Sequence, residues 1–254
     1  MGCTIGDLNG DGLLDIFVTS IFDPDSTCDA FGCNWGYSGN RLYLNEGGRT
    51  FVDRTDDMGV RDGGWGWGVA SFDYDNDGDL DLVMTNGVAF LSTDLEDAFN
   101  DDPMKVWRND GARFTEVSAA VGVTDTRSGK GLLTFDYDRD GDLDVFVVNN
   151  ANTPILYRND GGNANGWLRV RVRGTISNRD GVGTWITVTP VAGGPSQVRE
   201  TSAGSNFLGQ NEPTEHFGLG RGTDPVARVE IRWQSGRTAT FLDVPRNTTL
   251  VAVE

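Results

Sequence analysis

The 254-residue chain is short of several things that would point to common functions. It has one histidine, His216, and three cysteines, Cys3, Cys28 and Cys33. One histidine admits a Ser-His-Asp triad only if it is the base, and no G-x-S-x-G elbow is present. Within His216-Phe-Gly-Leu-Gly220 it reads as structural. Three cysteines without paired spacing do not make a zinc site. Cys28 and Cys33 could close a staple in an oxidising compartment, whereas Cys3, in an inner strand, reads as a buried free thiol. No apolar run approaches the ~18 residues of a membrane span, and residues 1–12 do not read as a signal peptide. Positive charge is scarce too: 21 Lys and Arg against 38 Asp and Glu leave a net charge of −17. Overall charge therefore gives the chain no hold on nucleic-acid phosphates or an anionic membrane.

Glycine and aspartate are abundant. Thirty-five glycines, about twice the usual ~7% share, argue against a mainly helical protein, since each interior glycine costs roughly 1 kcal/mol against alanine. Hydrophobic residues at 37% and aromatics at 10% argue against disorder. The acids are unevenly spread. Residues 1–162 hold 30 acids and 11 bases, whereas residues 163–254 hold 8 acids and 10 bases. This change of composition predicts two domains, 1–162 and 163–254.

The acidic part is periodic. Asp7-Leu-Asn-Gly-Asp-Gly-Leu-Leu-Asp15 recurs as Asp73-Tyr-Asp-Asn-Asp-Gly-Asp-Leu-Asp81 and Asp136-Tyr-Asp-Arg-Asp-Gly-Asp-Leu-Asp144, with starts 66 and 63 residues apart. A glycine stands five residues before each first aspartate (Gly2, Gly68, Gly131), and apolar runs of strand length follow at 16–18, 82–84 and 145–148. Each unit then has a third apolar stretch closed by an Asn-x-Gly turn at Asn45, Asn109 or Asn159. The first two units add a fourth stretch, at 50–53 and 113–117. Four short strands with one acidic turn between the first two is the layout of a propeller blade.

The loop spacing suits a hard cation, which takes about 6–8 oxygen ligands from carboxylates and carbonyls. Positions one, three and five supply Asp7, Asn9 and Asp11, then Asp73, Asp75 and Asp77, then Asp136, Asp138 and Asp140. Position six is glycine (Gly12, Gly78, Gly141), which permits the sharp bend. Position seven (Leu13, Asp79, Asp142) offers its backbone carbonyl, and position nine (Asp15, Asp81, Asp144) closes the shell. An EF-hand starts the same way but needs a glutamate at position twelve and flanking helices. Position twelve here is Val18, Met84 or Val147. We therefore expect about three Ca2+ sites on β-hairpins. Loop one, with three Asp and one Asn, is expected to bind most weakly. A solvated acidic turn is the plain alternative, and three copies in register count against it.

The pattern D-x-[DN]-x-D-G-x-x-D between strands, with Asn-x-Gly turns downstream, resembles FG-GAP/VCBS repeats of the integrin-α propeller type. Trp167-Leu-Arg-Val-Arg-Val-Arg-Gly174, Ser177-Asn-Arg-Asp-Gly-Val-Gly183, Gly204-Ser-Asn-Phe-Leu-Gly-Gln-Asn211, His216-Phe-Gly-Leu-Gly220 and Val229-Glu-Ile-Arg-Trp-Gln-Ser-Gly236 resemble the ASPIC/UnbV domain. In the cartilage acidic protein family that domain follows the propeller. Thr184-Trp185 departs from the pattern, since the family more often has Ala and a basic residue there. The resemblance implies an all-β chain: a partial integrin-α-like β-propeller of three calcium-loop blades, then a β-rich ASPIC/UnbV domain. It also implies an extracellular or periplasmic calcium-binding protein and leaves the activity open. Three units do not close a ring of about 4–8 blades. The expectation is a C-terminal fragment of a longer secreted protein with further N-terminal blades, or an open arc completed by self-association.

Several residues remain. Leu168, Val170 and Val172 alternate with Arg169, Arg171 and Arg173, a half-buried strand whose cationic face either docks on the acidic blades or is solvated. Trp65 and Trp67 read as core packing or as an aromatic platform for sugars. Residues 92–102 carry a capping-box start, Thr93 to Glu96, for a short surface helix. Asn247-Thr-Thr is a glycosylation sequon that matters only in a eukaryotic secretory pathway. The favoured function is a calcium-stabilised module for extracellular interaction or adhesion, with a protein or glycan ligand. The alternative is an enzyme acting on a polysaccharide or secondary metabolite through the propeller pocket. The sequence offers no constellation in favour of that alternative; Glu212 and Glu215, near His216, could form an acid/base pair, which nothing in their spacing requires.

Overall fold

The sequence repeat is a repeat of small antiparallel sheets. A computed structural model describes residues 1–25, 36–88, 99, 101–191 and 193–254, with the backbone of 28–29 and 32–33. Blade one contains β1 (Cys3–Gly6), β2 (Asp15–Val18), β5 (Arg41–Asn45) and β6 (Phe51–Asp53) in that order, with a small pair, β3 (Cys28–Asp29) and β4 (Gly32–Cys33), inserted between β2 and β5. Blade two contains β7 (Val69–Phe72), β8 (Asp81–Met84), β9 (Lys105–Asn109) and β10 (Phe114–Glu116). Blade three contains β11 (Gly129–Phe135), β12 (Asp144–Asn149) and β13 (Ile155–Tyr157). The first hairpin closes at the same place in all three, pairing Gly6 with Asp15, Phe72 with Asp81 and Phe135 with Asp144. The ninth loop residue therefore opens the second strand.

Blades stack face to face. Leu8, Phe17 and Leu42 of blade one meet Val69, Leu82, Met84, Trp107 and Phe114 of blade two, with Phe17 edge-on to Trp107 at 6.3 Å. Ala70, Phe72, Val83 and Val106 of blade two meet Leu132, Val145 and Val147 of blade three. The middle sheet is thus covered on both sides, and every residue of β8 is buried. Each large side chain so buried contributes roughly 1.5–3 kcal/mol.

Two one-turn helices, α1 (Thr55–Met58) and α2 (Ser118–Val121), follow the fourth strands. Each ends on a left-handed glycine, Gly59 or Gly122. Each begins with a hydroxyl that accepts an N–H from the third strand: Leu42 to Thr55 Oγ1 at 2.8 Å, Val106 to Ser118 Oγ at 2.7 Å. The sequence reading assigned neither, although hydroxyl, three residues, Gly-Val recurs at 55–60 and 118–123.

The C-terminal part is a two-sheet sandwich. One sheet has the order β17 (Glu215–Gly220), β14 (Gly166–Arg173), β20 (Thr248–Val253), with β14 and β20 parallel. The other has the order β16 (Gln197–Glu200), β15 (Trp185–Thr189), β18 (Val226–Arg232), β19 (Thr238–Val244). Leu168, Val170, Ile186, Val188, Phe217 and Ile231 fill the space between them. The alternation read in residues 168–173 is the inward face of β14.

One expectation is corrected. Cys3 is an exposed free thiol. In β1 it is Thr4 that turns to blade two, bonding Ser71 at 2.8 Å, so Cys3 and the 59%-exposed Ile5 lie on the opposite face. Cys28 and Cys33 stand opposite each other in β3 and β4, while their sulfurs lie outside the described residues, as does most of the helix expected at 92–102. Among the described residues no helix is long and apolar enough to cross a membrane.

Candidate metal centre

Each acidic loop joins the first two strands of its blade, and its backbone reverses twice. Position four is left-handed (Gly10, Asn76 and Arg139 at φ 73°, 56° and 65°), and so is position six (Gly12, Gly78 and Gly141 at 86°, 108° and 97°). The second reversal needs glycine, because a Cβ is strained at such φ. The turn aims the amides of positions five and six back at the first aspartate. Asp73 Oδ1 accepts from Asp77 N–H at 3.1 Å and Oδ2 from Gly78 N–H at 2.9 Å. Asp7 does the same with Asp11 and Gly12, and Asp136 accepts from Asp140. Position nine bridges strands. Asp15, Asp81 and Asp144 each accept an N–H from position two and another from Asn45, Asn109 or Asn159.

Three carboxylates converge in two of the loops. One oxygen each from Asp73, Asp75 and Asp81, and one each from Asp136, Asp138 and Asp144, lie within 4.8 Å of one another, so each group can hold a metal ion. At position five, Asp77 Oδ1 accepts from Asp79 N–H and Asp140 Oδ1 from Asp142 N–H. At position seven, Asp142 is fully buried with its own carboxylate, whose Oδ2 accepts from Asn163 N–H. Loop one has Asn9 at position three, its amide donating to Asp11 at 2.9 Å. Leu13 N–H there bonds Asp11 Oδ1.

The donor set fits an oxygen-seeking cation. Asp75 Oδ1 and Asp142 Oδ1 are buried without a hydrogen-bond partner among the described residues, and a buried carboxylate oxygen left so is costly. Burial is also the main force on the ionisation of the loops. It pushes Asp73 and Asp142 up to about 7 and Asp15 to about 6, and holds Asp81 well above the usual carboxylate range. Neighbouring carboxylates add to each shift. A divalent cation offsets both burdens.

The C-terminal sandwich lies across loops two and three. Gly218 N–H donates to Asp73 Oδ2 at 3.1 Å and Gly220 N–H to Asn76 O at 2.8 Å. The Asn76 amide donates to the carbonyls of Gly141 and Gly162, so its Oδ1 accepts from His216 Nε2 at 2.6 Å. Burial pushes His216 down to about 3, and its ring stacks on Trp167. The ring is neutral. The cationic face of β14 divides between its two readings: Arg169 reaches Asp136 Oδ2 at 3.1 Å and Glu212 Oε2 at 2.5 Å, while Arg171 and Arg173 are exposed. Arg199 was missed. It is buried over the Phe217 ring and its charge acts on Asp73, Asp7 and Asp79. Also missed was a bond from two of the three turn asparagines: Asn109 Nδ2 reaches Leu8 O at 2.9 Å and Asn159 Nδ2 reaches Tyr74 O at 2.6 Å, each in the preceding blade.

A cavity of about 640 Å3 separates the inner strands from this sandwich and is lined by Glu212, Glu215 and His216 among others. Glu212 is committed to Arg169 and His216 to Asn76. Trp65 and Trp67 are half-buried, against Phe99 and Phe207 respectively.

Residues 21–84 match the family model of the FG-GAP-like repeat, and residues 174–254 match that of ASPIC and UnbV. The chain is thus an all-β protein that joins FG-GAP-like repeat structure to an ASPIC and UnbV domain. It is similar to cartilage acidic protein 1 of Mus musculus, 32% identical over 112 residues, which are 43% of this chain and 17% of that protein. The Homo sapiens protein of the same name is 31% identical over 112 residues (43% and 16%), and the Xenopus tropicalis one 30% over 115 (44% and 17%). The match spans about a sixth of the length of these relatives.

Proposed function

We propose that this chain is a calcium-stabilised module for extracellular interaction, built of three blades in 1–162 and an ASPIC/UnbV domain in 163–254. The observation that carries the reading is the recurrence of three aspartate oxygens within 4.8 Å in loops two and three. An all-oxygen donor set favours calcium over zinc or copper. Relatives named for cartilage support an extracellular setting. Asp73, Asp75 and Asp81, and Asp136, Asp138 and Asp144, are the central ligands, with Asp77, Asp79, Asp140 and Asp142 completing the two sets. In loop one the set is Asp7, Asn9, Asp11, the Leu13 carbonyl and Asp15. Bound calcium supplies the positive charge that lets these carboxylates stay ionised while buried. The chain's own part is to hold the hairpins in register through Asn45, Asn109 and Asn159. Only the folded chain gathers these oxygens, so binding free energy becomes folding free energy.

Calorimetric titration of calcium into metal-stripped protein tests this reading. Two tighter sites and one weaker one are expected. Asp75→Asn removes one tight site, Asp138→Asn removes the other, and Asn9→Asp tightens the weak one about tenfold or more by adding an anion beside the cation. Tight binding that survives in the Asp75→Asn/Asp138→Asn double variant contradicts the assignment.

A further inference from the structure

We infer that Arg169 sets the cation affinity of loop three, so that the clasp of the C-terminal sheet on this loop and cation binding within it oppose each other. The inference rests on the calcium reading above. Arg169 projects from β14, and its Nη1 lies 3.1 Å from Asp136 Oδ2; the two side chains are only 12% and 1% exposed. Asp136 is the first carboxylate of its cluster. A guanidinium stays charged at any accessible pH. A fixed positive charge therefore sits, away from water, on a ligand that a divalent cation must share.

Loop two has no such cation at this place: the corresponding oxygen, Asp73 Oδ2, is held by two neutral donors, the Gly78 and Gly218 N–H groups. Arg199 acts on Asp73 through its charge, and no ion pair joins the two among the described residues. Two loops with the same five aspartates thus meet the C-terminal sandwich through different chemistry. Glu212 adjusts the contrast. It takes the other arm of Arg169 at 2.5 Å and also accepts the Asp136 N–H at 3.3 Å. With Glu212 neutral, the whole guanidinium charge falls on Asp136. The opposition is reciprocal: whatever factor Arg169 takes from calcium affinity, bound calcium takes from the clasp.

Calcium titrations of the full, metal-stripped chain by calorimetry test this. The variants are wild type, Arg169→Gln and Glu212→Gln, each also combined with Asp138→Asn to remove loop three. Arg169→Gln is expected to tighten one site about tenfold, Glu212→Gln to weaken that same site, and both effects to vanish with Asp138→Asn. A general loosening of the fold does not move two variants in opposite directions. An unchanged site in Arg169→Gln, or a shift in the same direction for both variants, overturns the inference and leaves the calcium reading intact. Absence of calcium binding by wild type overturns both. Should Arg169→Gln lose its cooperative melt, Glu212→Gln decides alone: a weakened loop-three site supports the inference and an unchanged one overturns it.

Discussion

Stripping calcium is expected to lower the melting temperature by about 10–20 °C near neutral pH, and to do far less at pH 5. Two sites filled at a hundred times their dissociation constants contribute about 2.7 kcal/mol each, and one kcal/mol moves the melt of a chain this size by about 2–4 °C. The pH dependence follows from burial. In the metal-free fold Asp73, Asp142 and Glu215 titrate at about 7 and Asp15 at about 6, whereas in the unfolded chain they titrate at about 4. Between about pH 4 and 7 the native state therefore holds protons that the unfolded state does not, and its stability falls as pH rises. Calcium needs the ionised carboxylates, so its contribution grows over the same range. The stripped protein should melt higher at pH 5 than at pH 7.5, and the calcium-loaded and stripped curves should converge on acidification. A stripped protein that loses stability from pH 7.5 to 5, or a chelator without effect at pH 7.5, would mean that buried carboxylates and calcium do not govern the melt.

Gly218→Ala is expected to cost about 2.5–6 kcal/mol and to depress calcium affinity in loop two. A Cβ built on Gly218 lies 2.0 Å from Asp73 Oδ2 and 2.5 Å from the backbone of Asn76. The carboxylate is pinned by two further amides and the backbone is buried, so neither gives way cheaply. Overpacking costs about 1–3 kcal/mol, and losing the hydrogen bond from Gly218 to a charged partner costs about 1.5–3 kcal/mol more. Gly218 does not have a positive φ, so the effect is contact and not backbone strain. Gly204→Ala, where the added carbon meets nothing within 4 Å, is the control and should melt within about 2 °C of wild type. Thermal melts and calcium titrations of the pair decide the matter. A Gly218→Ala protein that melts like the control means that β17 does not press on loop two.

The blades were legible because their chemistry is local. A nine-residue run of aspartates with glycine at position six states its own turn, and its return after 66 and 63 residues states the repeat. Asn109 and Asn159 were legible only as turn formers. Their bonds to Leu8 and Tyr74 span 101 and 85 residues, and no spacing rule reaches so far. Periodicity placed Arg169, Arg171 and Arg173 on one face, but the meeting of sandwich and blade chose Arg169 alone. Arg199 had no pattern around it, and its burial depends on Phe217 and loops one and two coming together. Positions one, three and nine, which the spacing names among the ligands, lie together in loops two and three. The spacing did not show that position five also accepts an amide two residues on, as Asp77 and Asp140 do.

Calcium is expected where the aspartate oxygens converge. Anomalous scattering from crystals of the metal-stripped protein regrown in calcium tests it most directly. A peak should lie inside Asp73, Asp75 and Asp81 and another inside Asp136, Asp138 and Asp144, each at about 2.3–2.6 Å from the surrounding oxygens. Ordered loops without peaks, or peaks only elsewhere on the molecule, would contradict it.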